Sequence, residues 1–397
     1  MVVKLDAGKW RRRRGMARLL DALGAEEGLT RYVGGAVRDE LLHLPVNDVD
    51  LATRLRPEEV VERLEAAKIR AVPTGLDHGT ITAVSNGHAV EVTSLRRDVS
   101  TDGRRAIVDF TDDWQEDAAR RDFTINALFA DPETGEVFDY FQGIEDLNAR
   151  RVRFIGDPYQ RIAEDHLRIL RFFRFHARFG EGEPDPEALE ACAARANDLM
   201  ALSRERIADE LLKLLAVVNP TPTVEIMLGR SILRPVVPEI AAEAASMLRE
   251  LVTAERVAGI DADALRRMSA LLPNDPALAE RIAVRLKLST KARKRLACAA
   301  NGDLDLNPHA LAYYVGRECA VDRLLLANLT REAAGVGRWN VPRLPIGGGE
   351  LIRRGLKPGP VVAKTLQHIE REWVEAGFPD ADELEKIIAN ALSAASH

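Results

Sequence analysis

Two aspartates, Asp48 and Asp50, stand two residues apart, shortly after a glycine pair and an arginine, Gly34, Gly35 and Arg38. On an extended strand alternate side chains share a face, which would put the two carboxylates roughly 7 Å apart at Cα. Such a pair is costly unless a cation lies between the carboxylates, and oxygen ligands near a triphosphate suit Mg²⁺. Paired ions of this kind activate an attacking hydroxyl and stabilise a leaving phosphate. The pattern therefore predicts phosphoryl transfer with Asp48 and Asp50 as catalytic metal ligands.

The elements that must position these residues are predicted in the order strand, turn, helix, strand. The glycine pair follows a short strand that ends at Tyr32-Val33, and it allows a sharp turn close to a ligand. Residues 36–44 are predicted as a helix that ends before Pro45, and residues 48–51 as the next strand. N–H groups at a helix start attract phosphate, and Arg38 adds a donor fork. Either half alone fits an ordinary surface turn, but the combination favours an active site.

These residues resemble the first motif of a known family. Gly34-Gly35-x-Val37-Arg38-Asp39, Leu41-Leu42 and Asp48-x-Asp50-x-x-Thr53 are similar to that motif in the class II tRNA nucleotidyltransferases, which comprise the CCA-adding enzymes and the bacterial poly(A) polymerases. His43 stands where the family usually has glycine, between the functional positions. The resemblance implies that this motif holds a nucleoside triphosphate and Mg²⁺.

A second motif, R-R-D-F-T-x-N-A, spans residues 120–127 and is similar to the family's second motif at every fixed position. Residues 116–128 are predicted as a helix in which Arg121 and Asn126 are the polar anomalies. A guanidinium makes bidentate bonds to phosphate that a lysine cannot make, and an amide can bridge a phosphate or a sugar hydroxyl. We expect both side chains to bind the nucleotide. The alternative is a structural ion-pair cluster.

A third candidate site lies on the helix predicted for residues 159–179. Asp165 and Arg168 are three residues apart and would share a helix face. Cytosine and adenine each present an amino donor beside a ring-nitrogen acceptor, whereas guanine and uracil present the reverse. One Asp–Arg pair can therefore accept C and A and leave the polar groups of G and U unpaired. The alternative is a plain i,i+3 ion pair. The segment resembles the family motif E-D-x-x-R, whose Asp–Arg pair acts as a protein template.

Two more arginines, Arg171 and Arg174, also match family positions. Each three-residue step turns about −60° on a 3.6-residue helix, so Arg171 would lie to one side of Asp165. From there Arg171 can reach a phosphate or a base. Arg174 would lie roughly opposite and is the weakest nucleotide-binding candidate, with helix packing as its alternative.

Other segments leave alternatives open. Residues 9–23 are predicted as a first helix. Glu91, in a predicted hairpin strand, is either a third metal-site carboxylate or a solvent-facing residue. The polar segment 96–113 is predicted as a mobile loop, which the family uses in nucleotide selection, or as a plain surface loop. The basic runs 11–14 and 281–295 either contact RNA phosphates or form solvated faces, and the second contains seven basic and no acidic residues.

Composition is that of an ordinary globular protein, with 46% hydrophobic and 30% charged residues in a chain of 397. The formal net charge of −6 does not suggest a nucleic-acid binder, so any RNA contact must use local basic patches. The three cysteines are far apart and show no C-x-x-C pairing, which favours a reducing compartment and argues against a zinc site. No membrane span or signal-peptide pattern is found. We expect a cytoplasmic protein with no membrane contact and no obligate protein partner.

We predict an α+β protein: a polymerase-beta-like nucleotidyltransferase head with a small mixed sheet, followed by an all-helical neck, body and tail. The expected boundaries are 1–140 for the head, 141–215 for the neck with the base-reading helix, 216–280 for the body and 281–397 for a tRNA-binding tail. The resemblance implies template-independent addition of C-C-A to the 3′ end of tRNA from CTP and ATP, with release of pyrophosphate. Alternatives are a poly(A) polymerase, an enzyme that adds only CC or only A, and an RNA-binding protein with an inactive head. Residues 74–80 look like the CCA type.

Overall fold

The computed structural model describes residues 2–75, 79–101, 106–240 and 243–395. It divides into two compact units, residues 1–238 and 239–397. The first unit contains a seven-stranded mixed sheet and the remainder is largely helical, which confirms the predicted fold class. The finer division into head, neck, body and tail stays a prediction. No helix in these described ranges is long and apolar enough to cross a membrane.

The described β-structure lies in the first unit. Its strands are β1 Thr30–Val33, β2 Asp50–Thr53, β3 Arg70–Gly75, β4 Thr80–Ser85, β5 His88–Ser94, β6 Arg96–Thr101, β7 Ala106–Phe110, β8 Leu128–Ala130 and β9 Val137–Asp139. Seven of them form one sheet in the order β3-β4-β5-β2-β1-β8-β9, in which only β2 and β5 pair in parallel. Alternate side chains enter two cores, with Tyr32 and Leu51 on one face and Val33 and Ala52 on the other. The central strands are therefore buried on both faces and form a rigid base for the turn after β1.

Helices surround this sheet and then continue the first unit. They are α1 Ala7–Arg11, α2 Met16–Ala22, α3 Gly35–Leu41, α4 Pro57–Ala66, α5 Trp114–Ala119, α6 Gly143–Asn148, α7 Pro158–Glu164, α8 Arg168–Phe179, α9 Pro186–Ala194, α10 Arg204–Leu215 and α11 Thr221–Gly229, with 3₁₀ turns at Thr124–Asn126 and Ala196–Ala201. The predicted order strand, turn, helix, strand is confirmed by β1, α3 and β2. The helix is shorter than predicted, since it ends at Leu41.

The single helix predicted for residues 9–23 is wrong, because α1 ends at Arg11 and α2 begins at Met16. Gly15 caps α2 with φ 84°, a conformation that favours glycine. A Cβ atom on Gly15 would lie 2.8 Å from the carbonyl oxygen of Ser85, at the end of β4. The chain therefore breaks where it docks against the β4–β5 hairpin.

The helix predicted for residues 116–128 is also wrong. α5 ends at Ala119, and the 3₁₀ turn and β8 follow. Phe123 forms an isolated β-bridge with Phe154, and their ring centroids are 4.9 Å apart. The Phe123 ring also packs 5.3 Å from that of Phe175 on α8. This tertiary packing overrides the local helical pattern.

The predicted loop 96–113 is instead largely an antiparallel ribbon of β6 and β7. Arg97 lies opposite Asp109, and the two side chains form an ion pair at 2.7 Å. Such cross-strand pairs stabilise a two-stranded ribbon, and this one was not recognised in the polar sequence. Residues 102–105, at the centre of the predicted loop, and residues 76–78 of the CCA-type segment lie outside the described residues.

The second unit is helical in its described residues. Its helices are α12 Ala244–Ala258, α13 Ala264–Ala270, α14 Pro276–Arg285, α15 Thr290–Ala299, α16 Pro308–Val315, α17 Arg317–Leu326, α18 Thr330–Arg338, α19 Gly348–Arg353, α20 Pro360–Glu375 and α21 Ala381–Ala395. The basic run 281–295 is partly neutralised inside this unit. Arg285 pairs with Glu239 at 2.6 Å, and Arg295 pairs with Asp322 at 2.6 Å. Part of the run is therefore structural.

Cys298 and Cys319 form a disulfide between α15 and α17, with 6.1 Å between their Cα atoms. The cysteine spacing did not predict this bond, because helix packing brings together thiols that are 21 residues apart. The expected reducing compartment loses its support from cysteine usage.

Replacing Cys319 with serine should lower the free energy of unfolding of the oxidised protein by about 2–4 kcal/mol, because the bond restricts the unfolded chain. Denaturant unfolding in oxidising buffer measures this loss. In excess dithiothreitol the wild type loses the same bond, so the two unfolding curves should nearly coincide. If the wild type and Cys319→Ser had the same free energy of unfolding in oxidising buffer as well as in dithiothreitol, the disulfide would not be a stabilising cross-link.

Candidate active site

A cavity of about 600 Å³ in the first unit gathers most of the predicted site residues. Its walls come from the turn between β1 and α3, the start of β2, the segment after α5, and α8. Among the predicted residues, Asp48 and Glu91 do not line it. The motifs are far apart in the sequence but meet here. The predicted residues in the wall are Gly34, Gly35, Arg38, Asp50, Arg121, Asn126, Asp165, Arg168, Arg171 and Arg174.

The turn between β1 and α3 lies directly beside two guanidinium groups. Gly34 has φ 71° and ψ −126°, which a residue with a side chain rarely adopts. A Cβ atom on Gly34 would lie 3.5 Å from Nη1 of Arg121, and one on Gly35 would lie 3.4 Å from Nη2 of Arg38. The absence of side chains therefore leaves room for an anion between the backbone and both arginines.

Arg38 is buried and braced on several sides. Its guanidinium pairs with Asp39 at 2.6 Å, donates to Oδ1 of Asn126 and lies 4.1 Å from the ring centre of Phe179. Burial lowers the pKa of Arg38, and the Asp39 carboxylate opposes that shift. Asn126 also donates to Asp122 at 3.0 Å. Asn126 therefore positions Arg38, while its direct contact with a nucleotide stays a prediction.

Arg121 reaches the cavity from the segment after α5. Its Nη2 pairs at 3.0 Å with Asp117, which is 1% exposed and also pairs with Arg120. Burial would raise the pKa of Asp117, but the two arginines lower it, so the carboxylate stays charged. This buried carboxylate holds Arg121 with its Nη1 beside Gly34.

The predicted metal-site carboxylates lie close enough to interact. β2 begins at Asp50, so Asp48 lies before the strand, and the predicted strand 48–51 starts too early. Leu51 pairs in parallel with Val92, which places Glu91 beside Asp50 on the neighbouring strand. Burial and the Glu91 and Asp48 carboxylates raise the pKa of Asp50 to about 6.

This repulsion makes the carboxylates a suitable site for a divalent cation. Within the part of the chain that the structure describes, Asp48, Asp50 and Glu91 form no side-chain hydrogen bond or ion pair. Oxygen ligands with uncompensated charge are what Mg²⁺ prefers. The same described residues contain no group of three or more His, Cys, Asp or Glu side chains already arranged around an ion. The carboxylates therefore fit a cation in charge and chemistry, and a bound ion would have to draw them closer together.

The continuous helix predicted for residues 159–179 is wrong. α7 ends at Glu164 and α8 begins at Arg168. Between them Asp165 has an extended backbone with φ −150°, and its side chain accepts a hydrogen bond from the N–H of Leu167 at 3.1 Å. Aspartate favours such local bonds over helix continuation, so the break occurs at the residue expected to read the base.

The simple Asp165–Arg168 ion pair, the structural alternative, is also wrong. Asp165 pairs with Arg206 of α10 at 2.9 Å. Arg168 pairs with Glu164 at 2.5 Å and donates to the carbonyl of Arg161 at 2.7 Å. Asp165 and Arg168 both line the cavity, each held by a different partner. A carboxylate and a guanidinium are therefore presented to the cavity without neutralising each other directly.

The two remaining arginines of α8 are held by carboxylates. Arg171 pairs with Asp122 at 2.5 Å, and Arg174 pairs with Glu210 of α10 at 2.6 Å. Burial would raise the pKa of Asp122, but Arg171 and the Asn126 amide lower it. Both arginines line the cavity. The predicted position of Arg174 opposite Asp165 is wrong, because Asp165 is not part of the helix.

Comparison with known proteins identifies the family. The model of the Poly A polymerase head domain matches residues 30–153, and the model described as "Probable RNA and SrmB- binding site of polymerase A" matches residues 183–243. The CCA tRNA nucleotidyltransferase 1, mitochondrial, of Homo sapiens is 33% identical, over 93% of this chain and 88% of the human chain. The chain belongs to the CCA-adding tRNA nucleotidyltransferases.

Other members of this family agree over nearly the whole length. The CCA-adding enzyme of Lacticaseibacillus paracasei is 30% identical, over 90% of each chain. The crystal structure of the Bacillus stearothermophilus CCA-adding enzyme in complex with CTP superimposes with a TM-score of 0.73 at 25% identity, covering 95% of this chain and 97% of that chain. The resemblance drawn from the sequence motifs is confirmed.

Sequence patterns did not reveal the residues that hold the charged side chains of the site in this CCA-adding family member. Asp122 lies inside the second motif and binds Arg171, but only its neighbours Arg121 and Asn126 were predicted as site residues in that motif. Arg206 and Glu210 come from α10, and tertiary packing brings them to Asp165 and Arg174, respectively. The signal for Asp122 was available, since an acid inside an arginine-rich motif needs a cationic partner.

Replacing Asp50 with asparagine should stabilise the metal-free protein at pH 7.5. Asp50 ionises near pH 6 in the folded chain and near its ordinary value of 3.8 in the unfolded chain. The stability that protonated Asp50 contributes to the folded chain is therefore fully present below pH 3.8 and is lost as the pH rises through 6. Above that pH the buried charge disfavours the folded chain. We expect a gain of about 1 kcal/mol at pH 7.5, which allows for solvent screening, and a smaller gain at pH 4.5. Thermal unfolding with EDTA at both pH values measures it; a loss at pH 7.5 would contradict the repulsion.

Proposed function

We propose that this protein adds C-C-A to the 3′ end of tRNA, using CTP and ATP and releasing pyrophosphate, without a nucleic-acid template. The observation that carries the proposal is the single cavity that joins Arg38 and Arg121, beside the glycine turn, to Asp50 on one side and to Asp165 and Arg168 on another. Such a transfer needs groups that bind the triphosphate, a carboxylate that binds a metal ion, and a pair of side chains that reads the base. The family relatives, which are named CCA-adding enzymes, support the same substrates.

The end of the cavity beside the glycine turn binds the triphosphate of the nucleotide. Arg38 and Arg121 donate to the triphosphate while Asp39 and Asp117 hold their guanidinium groups in place. Asp48 and Asp50, with Glu91 as a third candidate, would hold Mg²⁺. When bound, Mg²⁺ supplies activation of the attacking hydroxyl and stabilisation of the leaving pyrophosphate.

The base end of the cavity performs the selection. Asp165 accepts from the amino group that cytosine and adenine share, and Arg168 donates to the adjacent ring nitrogen. Glu164 and Arg206 hold these two side chains in separate positions, so both remain available to the base edge. Guanine or uracil would place a donor against Arg168 and an acceptor against Asp165. The unpaired groups make those complexes weaker.

Arg171 and Arg174 extend the positive wall of the cavity along α8. Arg171, near Asp122, is placed to contact base or phosphate, whereas Arg174 also ties α8 to α10 through Glu210. The tail, residues 281–397, binds the tRNA body through the part of its basic run that is not used in ion pairs. The protein works in the cytoplasm, although the animal relatives are named as mitochondrial.

One incubation separates this function from its alternatives. The protein, Mg²⁺ and a tRNA that lacks its terminal CCA are mixed with labelled CTP, labelled ATP, or both. We expect label from both nucleotides and a stop after three additions. A long run of A would indicate a poly(A) polymerase, label from only one nucleotide would indicate a CC- or A-adding enzyme, and no label would indicate an inactive head. A tRNA that already ends in CCA is the matched control and should remain unlabelled.

A further inference from the structure

The Cys298–Cys319 disulfide of the second unit lies beside a buried arginine. Arg323 follows Cys319 by one turn of α17 and is 8% exposed. Its Nη2 lies 3.6 Å from Sγ of Cys298, and its Nε donates to the carbonyl oxygen of Cys298 at 2.7 Å. Its Nη1 donates to the carbonyl oxygen of Asp303 at 3.3 Å. The guanidinium is therefore fixed against the sulfur at the end of α15.

The positive charge of Arg323 has no carboxylate partner in the part of the chain that the structure describes. Burial lowers the pKa of Arg323, and the Asp303 carboxylate opposes that shift without forming an ion pair. Buried charges are normally paired, and an arginine does not lose its proton in a protein. The disulfide form thus leaves a buried cation uncompensated, whereas a thiolate on Cys298 would supply the missing negative charge.

The carboxylates on the helices packed against α15 already have partners. These helices are α13, α14 and α17. The ion pairs made by α15 and these three helices are Asp322 with Arg266 and Arg295, Glu318 with Arg295, Arg267 with Glu255, Glu280 with Arg293, and Arg285 with Glu239. Exposed cations are also present on the four helices, at Arg281, Lys291, Lys294 and Arg317. Arg323 is therefore the charged group in contact with the sulfur, and the nearby carboxylates are neutralised.

The two sulfurs of the disulfide differ in access to solvent. Cys298 is half-buried near the end of α15, whereas Cys319 is 6% exposed. Exchange between thiols and disulfides needs a thiolate that is both ionised and accessible. Cys298 has the cation and the access. Cys319 is placed to close the bond, since the two Cα atoms are 6.1 Å apart.

We propose that Cys298 and Cys319 form a reversible thiol–disulfide exchange site in which Cys298, activated by Arg323, is the nucleophilic thiol. The co-reactant is a low-molecular-weight disulfide in the oxidising direction and a low-molecular-weight thiol in the reducing direction. The inference goes beyond the proposed function, because none of its steps involves nucleotide transfer. Its outcome is the making and breaking of the cross-link between α15 and α17.

The oxidising direction has two steps. The Cys298 thiolate attacks one sulfur of the small disulfide, whose S–S bond breaks as one small thiolate leaves. Cys319 then gives its proton to water and attacks Sγ of Cys298, and the bond to the small group breaks as the second small thiolate leaves. Two protein thiols are oxidised, and one small disulfide is reduced to two thiols. In the reducing direction a small thiolate attacks the accessible Cys298 sulfur and the steps run in reverse.

Cys319→Ser and Cys298→Ser are the matched pair for the test, because each leaves one sulfur of the bond free. The rate of alkylation by iodoacetamide is measured against pH on the full-length protein, with peptide mass spectrometry to locate the label. At pH 7 we expect Cys298 in Cys319→Ser to react on the order of tenfold faster than Cys319 in Cys298→Ser. The midpoint of the Cys298 rate profile should lie below that of glutathione. Cys192 is buried and should stay unlabelled in both variants.

Replacement of Arg323 tests the source of the activation. In the Cys319→Ser background, Arg323→Gln should slow the alkylation of Cys298 at pH 7 on the order of tenfold and move the midpoint of its profile upward. Arg323→Lys keeps the charge and should retain most of the rate. Arg338→Gln removes an exposed arginine of α18 and is the matched control, which should leave the profile unchanged. Denaturant unfolding shows which variants are folded.

Incubation with glutathione disulfide tests the exchange itself. The reduced wild type should form a transient adduct on Cys298 and then the internal bond, whereas in Cys319→Ser the adduct should persist. Faster modification of Cys319 than of Cys298, or a Cys298 profile that coincides with that of glutathione, would overturn the inference. So would a profile that a folded Arg323→Gln variant leaves unmoved. The first two comparisons retain Arg323, so they decide the matter even if that variant does not fold.

Discussion

Replacement of Asp50 by alanine is expected to abolish nucleotide addition and leave tRNA binding largely intact. Asp50 is the predicted metal ligand that lines the cavity, and burial together with the Glu91 and Asp48 carboxylates raises its pKa to about 6. Metal-ion stabilisation of the transferring phosphate contributes several kcal/mol, and each 1.4 kcal/mol corresponds to about tenfold in rate. We therefore expect kcat to fall by about a thousandfold or more. Single-turnover incorporation of labelled CTP measures the loss, and filter binding measures tRNA affinity.

Asp112→Ala is the matched control for that experiment. Asp112 is an exposed carboxylate of the same unit and does not line the cavity. It should leave kcat unchanged. Glu91→Ala, measured in parallel, decides the open role of Glu91: a loss comparable to that of Asp50→Ala makes it a metal ligand, and wild-type turnover makes it a solvent-facing residue. Residual turnover in Asp50→Ala close to that of Asp112→Ala would refute the metal assignment.

Replacement of Arg168 by alanine is expected to loosen base choice. Arg168 is proposed as the donor half of the base-reading pair, and Glu164 pairs with it in the cavity wall. Without the guanidinium, the ring N–H of guanine or uracil no longer faces a second donor, so these bases are rejected less strongly. Cytosine and adenine lose one charge-assisted hydrogen bond worth about 1.5–3 kcal/mol. Discrimination, taken as the ratio of kcat/KM for CTP to that for UTP, should fall on the order of a hundredfold.

Arg195→Ala controls for the loss of a partly exposed arginine in the same unit. Arg195 pairs with Asp198 at 3.4 Å and does not line the cavity. Its discrimination should equal that of the wild type. Unchanged discrimination in Arg168→Ala would refute the idea that the protein acts as the template, even if its overall rate declined.

Local patterns were sufficient to predict the elements around the Gly34-Gly35 turn. A glycine pair with positive φ at Gly34, an arginine one turn later and a strand that begins at Asp50 are features of adjacent residues. Short-range geometry determines them, so β1, α3 and β2 formed in the predicted order. The structure also brings Arg121 beside Gly34 in the cavity wall, although the helix predicted around it is absent.

Tertiary contacts decided what local patterns could not. The carboxylate of Asp165 competes with the helix and then pairs with Arg206, which is 41 residues away in sequence. The Cys298–Cys319 bond and the Arg174–Glu210 pair likewise depend on how helices pack. Periodicity cannot reveal such partners, because it describes one element at a time. The motifs therefore contained most of the predicted residues that line the cavity, but they did not indicate which residues hold them there.

The most direct test is a crystal structure of this protein with CTP and Mg²⁺ bound. We predict a triphosphate between the Gly34-Gly35 turn, Arg38 and Arg121, with Mg²⁺ on Asp48 and Asp50. The cytosine edge should lie against Asp165 and Arg168. A nucleotide bound outside this cavity, or a triphosphate with Asp48 and Asp50 turned away from its metal ions, would contradict this prediction.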